Sequence, residues 1–518
     1  MTTQNIQSEW KPKSSLILIT VAVMLATFVE VLNTSIANVA LKTIAGSFSI
    51  SNDESLWIVT LFLIASSILL PTTDWCCSVI GRKKFLLFCI SLFGISAFIC
   101  GIAPNFEIML IGRIFQGLGG GCLLPLSQAI LLESYPKSEH GKANAIFGFG
   151  VTVAPILGPI IGGWLTTNYS WNWVFFISLP FCIAAFIMVM LYIEDPPYLK
   201  IVGLHKIDYI GLLLLIVWIS SFQVMVDNGQ KNGWFDSAYI QKLGITSLIS
   251  FILLVWWELK IKNPLLDLKI FKNWNYAFGT GMLTVVFGIC YGSIAILPTF
   301  LQSLLGYDAF LSGLAAGPMG VGSFLGIITT GILATKVDLR KQSMAGILII
   351  SIGCFMFSSL NLNIAITNVI LPNIIVGFGM TFAIVPTTTL LYSNVLKQQM
   401  TNASSLQNLV KNVGCAVGTS SVGFLVSRYS QIHQNYLVDN MTMLNSVFSE
   451  KFNMLTANFI QMGNDIITAQ LKAGAQLQNL LLQQSTLSAF MSAYKIYAIA
   501  IIIILPVAFL LKKVEFKQ

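Results

Sequence analysis

The sequence predicts an all-α membrane protein that crosses the bilayer fourteen times, and three observations lead there. The chain is 55% hydrophobic and only 10% charged, against about 25% charged residues in soluble domains, so it cannot cover a water-facing surface. Its apolar runs repeatedly reach the ~20 residues needed to cross a hydrocarbon core. Its basic residues gather at the ends of alternate runs, the bias that orients membrane helices. A helix pairs all its backbone groups internally, so it is the default spanning element.

The spans are expected at 15–40, 55–75, 84–103, 108–132, 143–167, 173–193, 208–227, 239–258, 274–301, 310–334, 343–360, 366–392, 403–427 and 492–511. With the N-terminus inside, the inside segments hold about 20 of the 29 Lys and Arg and the outside segments about 7. That asymmetry places both termini in the cytoplasm. The net charge of +8 is therefore a topology signal and not a nucleic-acid footprint. Residues 1–13 show no cleavage-site pattern and read as a lead-in to an uncleaved first span. The nine cysteines lie in or beside apolar runs, as small packing residues do, and the three histidines are scattered, so no metal site is expected.

The chain repeats itself at an offset of about 260 residues. Gly117 and Gly119 match Gly377 and Gly379, Ala143 matches Ala403, Gly158 matches Gly418, and Gly163 matches Gly423. The basic loop at Gly81, Arg82 and Lys83 matches the one at Asp338 and Arg340. The repeat keeps one membrane orientation, as in transporters built from parallel six-span halves. Three regions follow: a six-helix bundle over 1–195, a two-helix insert with linkers over 196–272, and a second bundle over 273–518 that includes a long outside loop, 428–491.

Several motifs stand out. Arg113 lies several residues into the fourth span, in the run Arg113-x-x-Gln116-Gly117, and a charge at that depth is costly unless it meets a partner or an aqueous cavity. The fifth span carries Pro155, Gly158, Pro159, Gly162 and Gly163, which would break a soluble helix and in a membrane create kinks and close-packing faces. The first span reads Leu32-Asn33-Thr34-Ser35-Ile36-Ala37-Asn38. Trp57, the Trp171–Pro180 run, and Asp227 with Gly229, Trp234 and Phe235 complete the set. Together these resemble the major facilitator superfamily, in its fourteen-helix drug:proton antiporter branch of EmrB-type multidrug efflux subunits. Gly158-Pro159-x-x-Gly162-Gly163 looks like that branch's antiporter signature.

The resemblance implies two six-helix bundles rocking about a central cavity and a secondary active transporter rather than an enzyme. It implies no cofactor beyond the proton gradient. The implied substrates are small amphipathic or hydrophobic toxic compounds. It also implies a place in the inner membrane, with a periplasmic adaptor and an outer-membrane channel as partners and no nucleic acid. The alternatives are a dedicated exporter of one metabolite, such as a siderophore or fatty acid, and a transporter-like sensor that moves nothing. The chain shows no nucleotide-binding loop of the Gly-x-x-x-x-Gly-Lys-Ser/Thr type, which points to an ion gradient as energy source.

Two departures from the family pattern matter. The loop after the second span usually begins with glycine and has an acid four residues later; here those positions are Asp74 and Ser78, while Gly81, Arg82 and Lys83 keep the pattern. The run serves either gating or topology. The first span has Asn33 where relatives usually have Asp, but carries Glu30 one turn earlier, about 4.5 Å along the axis on the same face. An intramembrane acid is a functional residue by default, so Glu30 is the expected proton-coupling group and Arg113 its expected counter-charge. Asn33, Gln116 and Lys411 are expected at the substrate cavity, Lys411 either holding anionic groups or forming a structural ion pair. Asp227 and Glu258, at span ends, are expected to be solvated. The segment Ile466–Leu482 has the spacing of an amphipathic helix, which makes the outside loop either a cap or a docking surface for the adaptor.

Overall fold

The computed structural model describes residues 12, 14–136, 139–196, 208–262, 264–333, 336–362, 366–396, 399–439 and 441–512. Most of the N-terminal lead-in and of the linker at 197–207 lies outside the described residues. Among those described, thirteen helices are long and apolar enough to cross a membrane, and one bent pair makes a fourteenth. In chain order they are α1 Leu16–Phe48, α2 Trp57–Leu69 with Thr73–Ile80, α3 Arg82–Gly101, α4 Phe106–Ser134, α5 His140–Asn168, α6 Trp173–Tyr192 and α7 Tyr209–Asn228. There follow α8 Ala238–Lys260, α9 Trp274–Ser303, α10 Phe310–Leu333, α11 Leu339–Phe357, α12 Ile366–Tyr392, α13 Met400–Val438 and α14 Ile466–Leu510. The expected all-α membrane architecture and span number are therefore present.

The ends of these helices have local causes. Asn105, Asp308 and Asp338 each accept a first-turn backbone N–H, from Ile108, Leu311 and Arg340, the usual use of a short polar side chain at an N-cap. Between α2 and α3 the chain reverses in one residue, Gly81, at φ +89, a conformation glycine adopts without steric cost. The two parts of α2 meet at 57°.

Glycines make the internal repeat visible in three dimensions. A β-carbon on Gly119 of α4 would come within 2.7 Å of the Phe93 nitrogen and 2.9 Å of the Cys89 carbonyl oxygen of α3. A β-carbon on Gly379 of α12 would meet the Ile350 nitrogen at 2.7 Å and the Gly346 carbonyl oxygen at 2.9 Å, on α11. Gly117 likewise abuts the Phe62 carbonyl of α2, and Gly377 that of Met319 in α10. Each half thus draws the same three helices together through the same pair of glycines, as small-residue packing in lipid requires.

Of the insert, α7 docks across both halves at its C-terminal end. Asp227 of α7 accepts from Thr60 Oγ1 of α2 at 2.6 Å and from Gln223 at 3.0 Å. Ser420 of α13 donates to the Val226 carbonyl. Asp227 is thus a tie rather than a solvated span end. Glu258 is also not solvated: it is buried and accepts from the Leu266 backbone. The apolar length of α7 and α8 could not reveal either bond, because both partners come from other segments.

The long outside loop expected at 428–491 is largely helical. α13 continues to Val438, a separate helix covers Ser446–Gln461, and α14 begins at Ile466, far ahead of the expected 492. Ala469, Ala473, Leu477 and Leu481 bury one stripe of α14, so the amphipathic spacing does mark a helix. The expected boundary differs because hydropathy falls where the apolar run ends, whereas the helix continues past it, through Gly474.

Candidate functional site

Arg113 organises the first of two polar centres. α4 starts at its Asn105 cap and carries Arg113 two turns inward, where the side chain is completely buried. Its Nε donates to the Ile58 carbonyl at 2.8 Å, and its Nη1 donates to Asn33 Oδ1 at 2.9 Å and Gln116 Oε1 at 2.7 Å. The guanidinium lies 4.5 Å from the Phe62 ring centre and 5.8 Å from that of Phe175. Asn33 passes the network on, donating to Ser178 Oγ at 3.0 Å. Among the described residues no carboxylate pairs with Arg113.

This arrangement corrects one expectation. Arg113 is not bonded to Glu30, because the Asn33 amide takes the guanidinium N–H and Glu30, one turn away, turns elsewhere. The Glu30 side chain packs against α4 at Gly120, where an added β-carbon would stand 3.2 Å from Glu30 Cγ. Its Oε2 is buried without a hydrogen-bond partner.

Between the bundles lies the second centre, a cavity. α4 and α5 supply Gln128, Asn144, Phe147 and Val151; α9, α12 and α13 supply Phe287, Tyr291, Thr381, Thr388, Gln407, Asn408 and Lys411. The lining is mostly apolar with a few convergent polar groups, the mixture found in small-molecule sites. Lys411 lines the cavity as expected. Asn33 and Gln116 do not: both are fully buried at Arg113 and outside the cavity wall. The lining amides and Phe287 and Tyr291 were not singled out in the sequence, although Gln407 and Asn408 lie one turn before Lys411 on the same helix.

The bundles touch on both sides of the cavity. On one side Ser404 Oγ donates to the Pro125 carbonyl at 2.8 Å and Asn144 reaches Thr389 Oγ1 at 3.4 Å. On the other Gly313 of α10 packs on Pro159 and Ile160, a β-carbon there coming within 2.8 Å of the Pro159 carbonyl carbon.

The α5 motif serves both contacts. Gly158 abuts the Ser35 side chain of α1, and a β-carbon on Gly162 would stand 3.2 Å from Ile36 Cγ2; Gly163 is buried. Pro159 has no N–H to offer the carbonyl of residue 155, and Ser35 Oγ fills that role at 2.8 Å. The glycines therefore seat α1, while the proline faces the opposite bundle.

The basic loops act as anchors. Arg82 forms a buried ion pair with Glu133 at the C-terminal end of α4, a partner not foreseen in the sequence. The Lys83 backbone donates to Asp195 at 2.9 Å. Asp74 sits in the first turn of the second part of α2. Asp338 caps α11 and pairs with Arg340 at 2.7 Å, while Arg340 also reaches the Leu511 carbonyl.

Comparison with known proteins follows the same lines. A model of the Major Facilitator Superfamily matches residues 23–419. The chain is 33% identical over 444 residues to "Probable multidrug resistance protein EmrY" of Escherichia coli, covering 84% of this chain and 85% of that protein. It is 33% identical to "Multidrug export protein EmrB" of Haemophilus influenzae, covering 85% and 86%. It is 32% identical over 494 residues to "Fatty acid resistance protein FarB" of Neisseria gonorrhoeae, covering 95% and 96%. In fold it is similar to a human organic anion transporter, with a TM-score of 0.58, 9% identity, and 96% and 100% of the two chains covered.

Proposed function

This chain belongs to the Major Facilitator Superfamily as a multi-pass membrane transporter, and we propose that it exports amphipathic or hydrophobic toxic compounds by proton-driven alternating access. The observation that carries this reading is the cavity between two bundles that meet on both sides of it, in a chain whose first span carries an acid, Glu30. The multidrug names of the relatives support it.

In the cycle, the bundles open alternately by rocking about the cavity. Glu30 takes a proton in the outward-facing state, which favours substrate release, and gives it to the cytoplasm, which favours rebinding. The gradient supplies about 2.3 kcal/mol per charge for each 100 mV and about 1.4 kcal/mol per pH unit. Arg113 does not exchange this proton; it holds α1, α2 and α4 in register. The protein sits in the inner membrane with both termini cytoplasmic. The helices rising at 428–491 on the outer side form the surface for a periplasmic adaptor, which leads to an outer-membrane channel. No cofactor is involved.

The test is proteoliposomes loaded with a transported dye, given a pH gradient and no ATP. Gradient-driven flux is expected; flux only with ATP refutes the reading. A second reading, a dedicated exporter of one metabolite such as a fatty acid, is favoured by the near full-length similarity to the fatty acid resistance protein. Flux of that metabolite alone, with no dye transported, would select it.

A further inference from the structure

Asp227, Gly229 and Trp234 do not line the cavity, yet they sit where the two bundles meet. At the end of the molecule where α7 finishes, α7 stands in the seam and packs on the first part of α2 and on α13; farther along, the second part of α2 packs on α13 itself. Consecutive residues of α7 serve opposite bundles. Asp227 accepts from Thr60 Oγ1 of α2 at 2.6 Å, and the Val226 carbonyl accepts from Ser420 Oγ of α13 at 2.7 Å. The turn after α7 adds to the second contact. A β-carbon on Gly423 of α13 would stand 3.8 Å from Gln230 Cγ, and the Trp234 ring meets Phe424 of α13 edge-on, with centres 6.0 Å apart at 87°. Trp234 is held in this pose. Its φ is +53, a region a bulky side chain enters only where its surroundings fix it. Its backbone N–H donates to the Gly229 carbonyl at 2.7 Å and its Nε1 to Gln230 Oε1 at 3.1 Å.

We propose that Trp234 is a gating residue of the two-helix insert: its turn closes the seam at this end by pressing on α13 and lets go of α13 when the bundles part there, while Asp227 keeps α7 on α2. The strengths of the contacts choose the side. Opening this end must separate α7 from one of its two neighbours. On α2 it holds a short hydrogen bond to a carboxylate, a kind about twice as strong as a neutral one, together with the more extensive helix packing. On α13 it holds a neutral hydroxyl-to-carbonyl bond and one aromatic edge contact. The weaker face yields. The insert is then a moving part of the carrier, and Trp234 on Phe424 sets how readily this end opens.

This inference rests on alternating access, and the experiment separates it from proton-driven export. The full chain is reconstituted with a reporter cysteine, G317C, whose β-carbon faces Ile160 of the other bundle at 3.6 Å. Successive spans alternate in direction, so this seam, late in α5 and early in α10, lies at the end where α7 also finishes. A membrane-impermeant maleimide is added from that side, and its rate is taken over the background of the same variant without G317C. W234A and S420A should each raise the rate by roughly threefold to tenfold, the range of one aromatic pair or one neutral hydrogen bond. W234F, which keeps a ring against Phe424, should stay at the wild-type rate, and W234A/F424A should gain nothing over W234A alone. A turn that is merely structural would lower the melting midpoint and leave the rate unchanged; an unchanged rate, or additive gains, overturns the gate. Should W234A fail to fold, two cysteine pairs bridged by a short bifunctional thiosulfonate decide. The bridge Q230C/G423C should stop downhill dye exchange until reductant is added, and the bridge T60C/D227C should not; any other pattern overturns the gate. None of these readings uses a proton gradient, so a wild type without gradient-driven flux overturns proton-driven export alone.

Discussion

Asn33→Asp supplies the carboxylate that Arg113 lacks. The guanidinium is completely buried and spends its bonds on neutral oxygens, with Nη2 left unbonded. The substitution would place a negative charge where Asn33 Oδ1 already accepts at 2.9 Å, and Ser178 Oγ can turn to donate to the second carboxylate oxygen. At an effective dielectric of 20, unit charges 4 Å apart attract by about 4 kcal/mol. Burying the new carboxylate costs several kcal/mol, and a hydrogen bond to a charged group exceeds a neutral one by about 1 kcal/mol. The balance is a stabilisation of about 1–2 kcal/mol. Seven of the nine cysteines are buried, so a thiol-reactive fluorophore reports thermal unfolding in detergent. N33D should raise the midpoint by several degrees, and R113M should abolish that gain. A lower midpoint in N33D, or a gain that survives R113M, would refute the account of Arg113 as a charge in need of a partner.

Three further outcomes follow from the geometry. Glu30→Gln should lose gradient-driven efflux while still binding substrate; adding Asn33→Asp should not restore it, because a new acid at that position is buried against Arg113 and away from the cavity. Restored flux in the double variant would show that the two positions are interchangeable after all. Gly158→Leu and Gly162→Leu should each abolish transport yet leave the protein in the membrane, since side chains there press on Ser35 and Ile36, an overpacking of about 1–3 kcal/mol or more; flux measurements showing normal export in both would place this face against lipid. Replacing 439–465 by a short flexible linker keeps α13 and α14 whole, and should reduce crosslinking to a periplasmic adaptor. Unchanged crosslinking in a correctly inserted variant would make the outer helices a cap.

Much of this protein follows from one-dimensional pattern. Apolar runs of membrane length, basic residues at alternate ends and the recurrence of Gly117 and Gly119 at Gly377 and Gly379 led to fourteen helices in two like halves. These are properties each helix has alone in lipid, or shares with its immediate neighbours through small residues, so sequence carries them directly. Lys411 at the cavity, Gly158 and Gly162 as packing faces, and a helix from Ile466 belong to the same class. Which charge meets which does not. Glu30 and Arg113 suggest a pair because both are ionisable and deep, yet Arg113 bonds to Asn33 and Gln116, while Glu30 Oε2 is buried without a hydrogen-bond partner. The ties of Asp227 to Thr60 and of Arg82 to Glu133 have the same origin. In a medium without water a buried polar group can bond only what lies within its reach, and reach there is set by how separate helices rotate and tilt against each other, which only the assembled bundle decides.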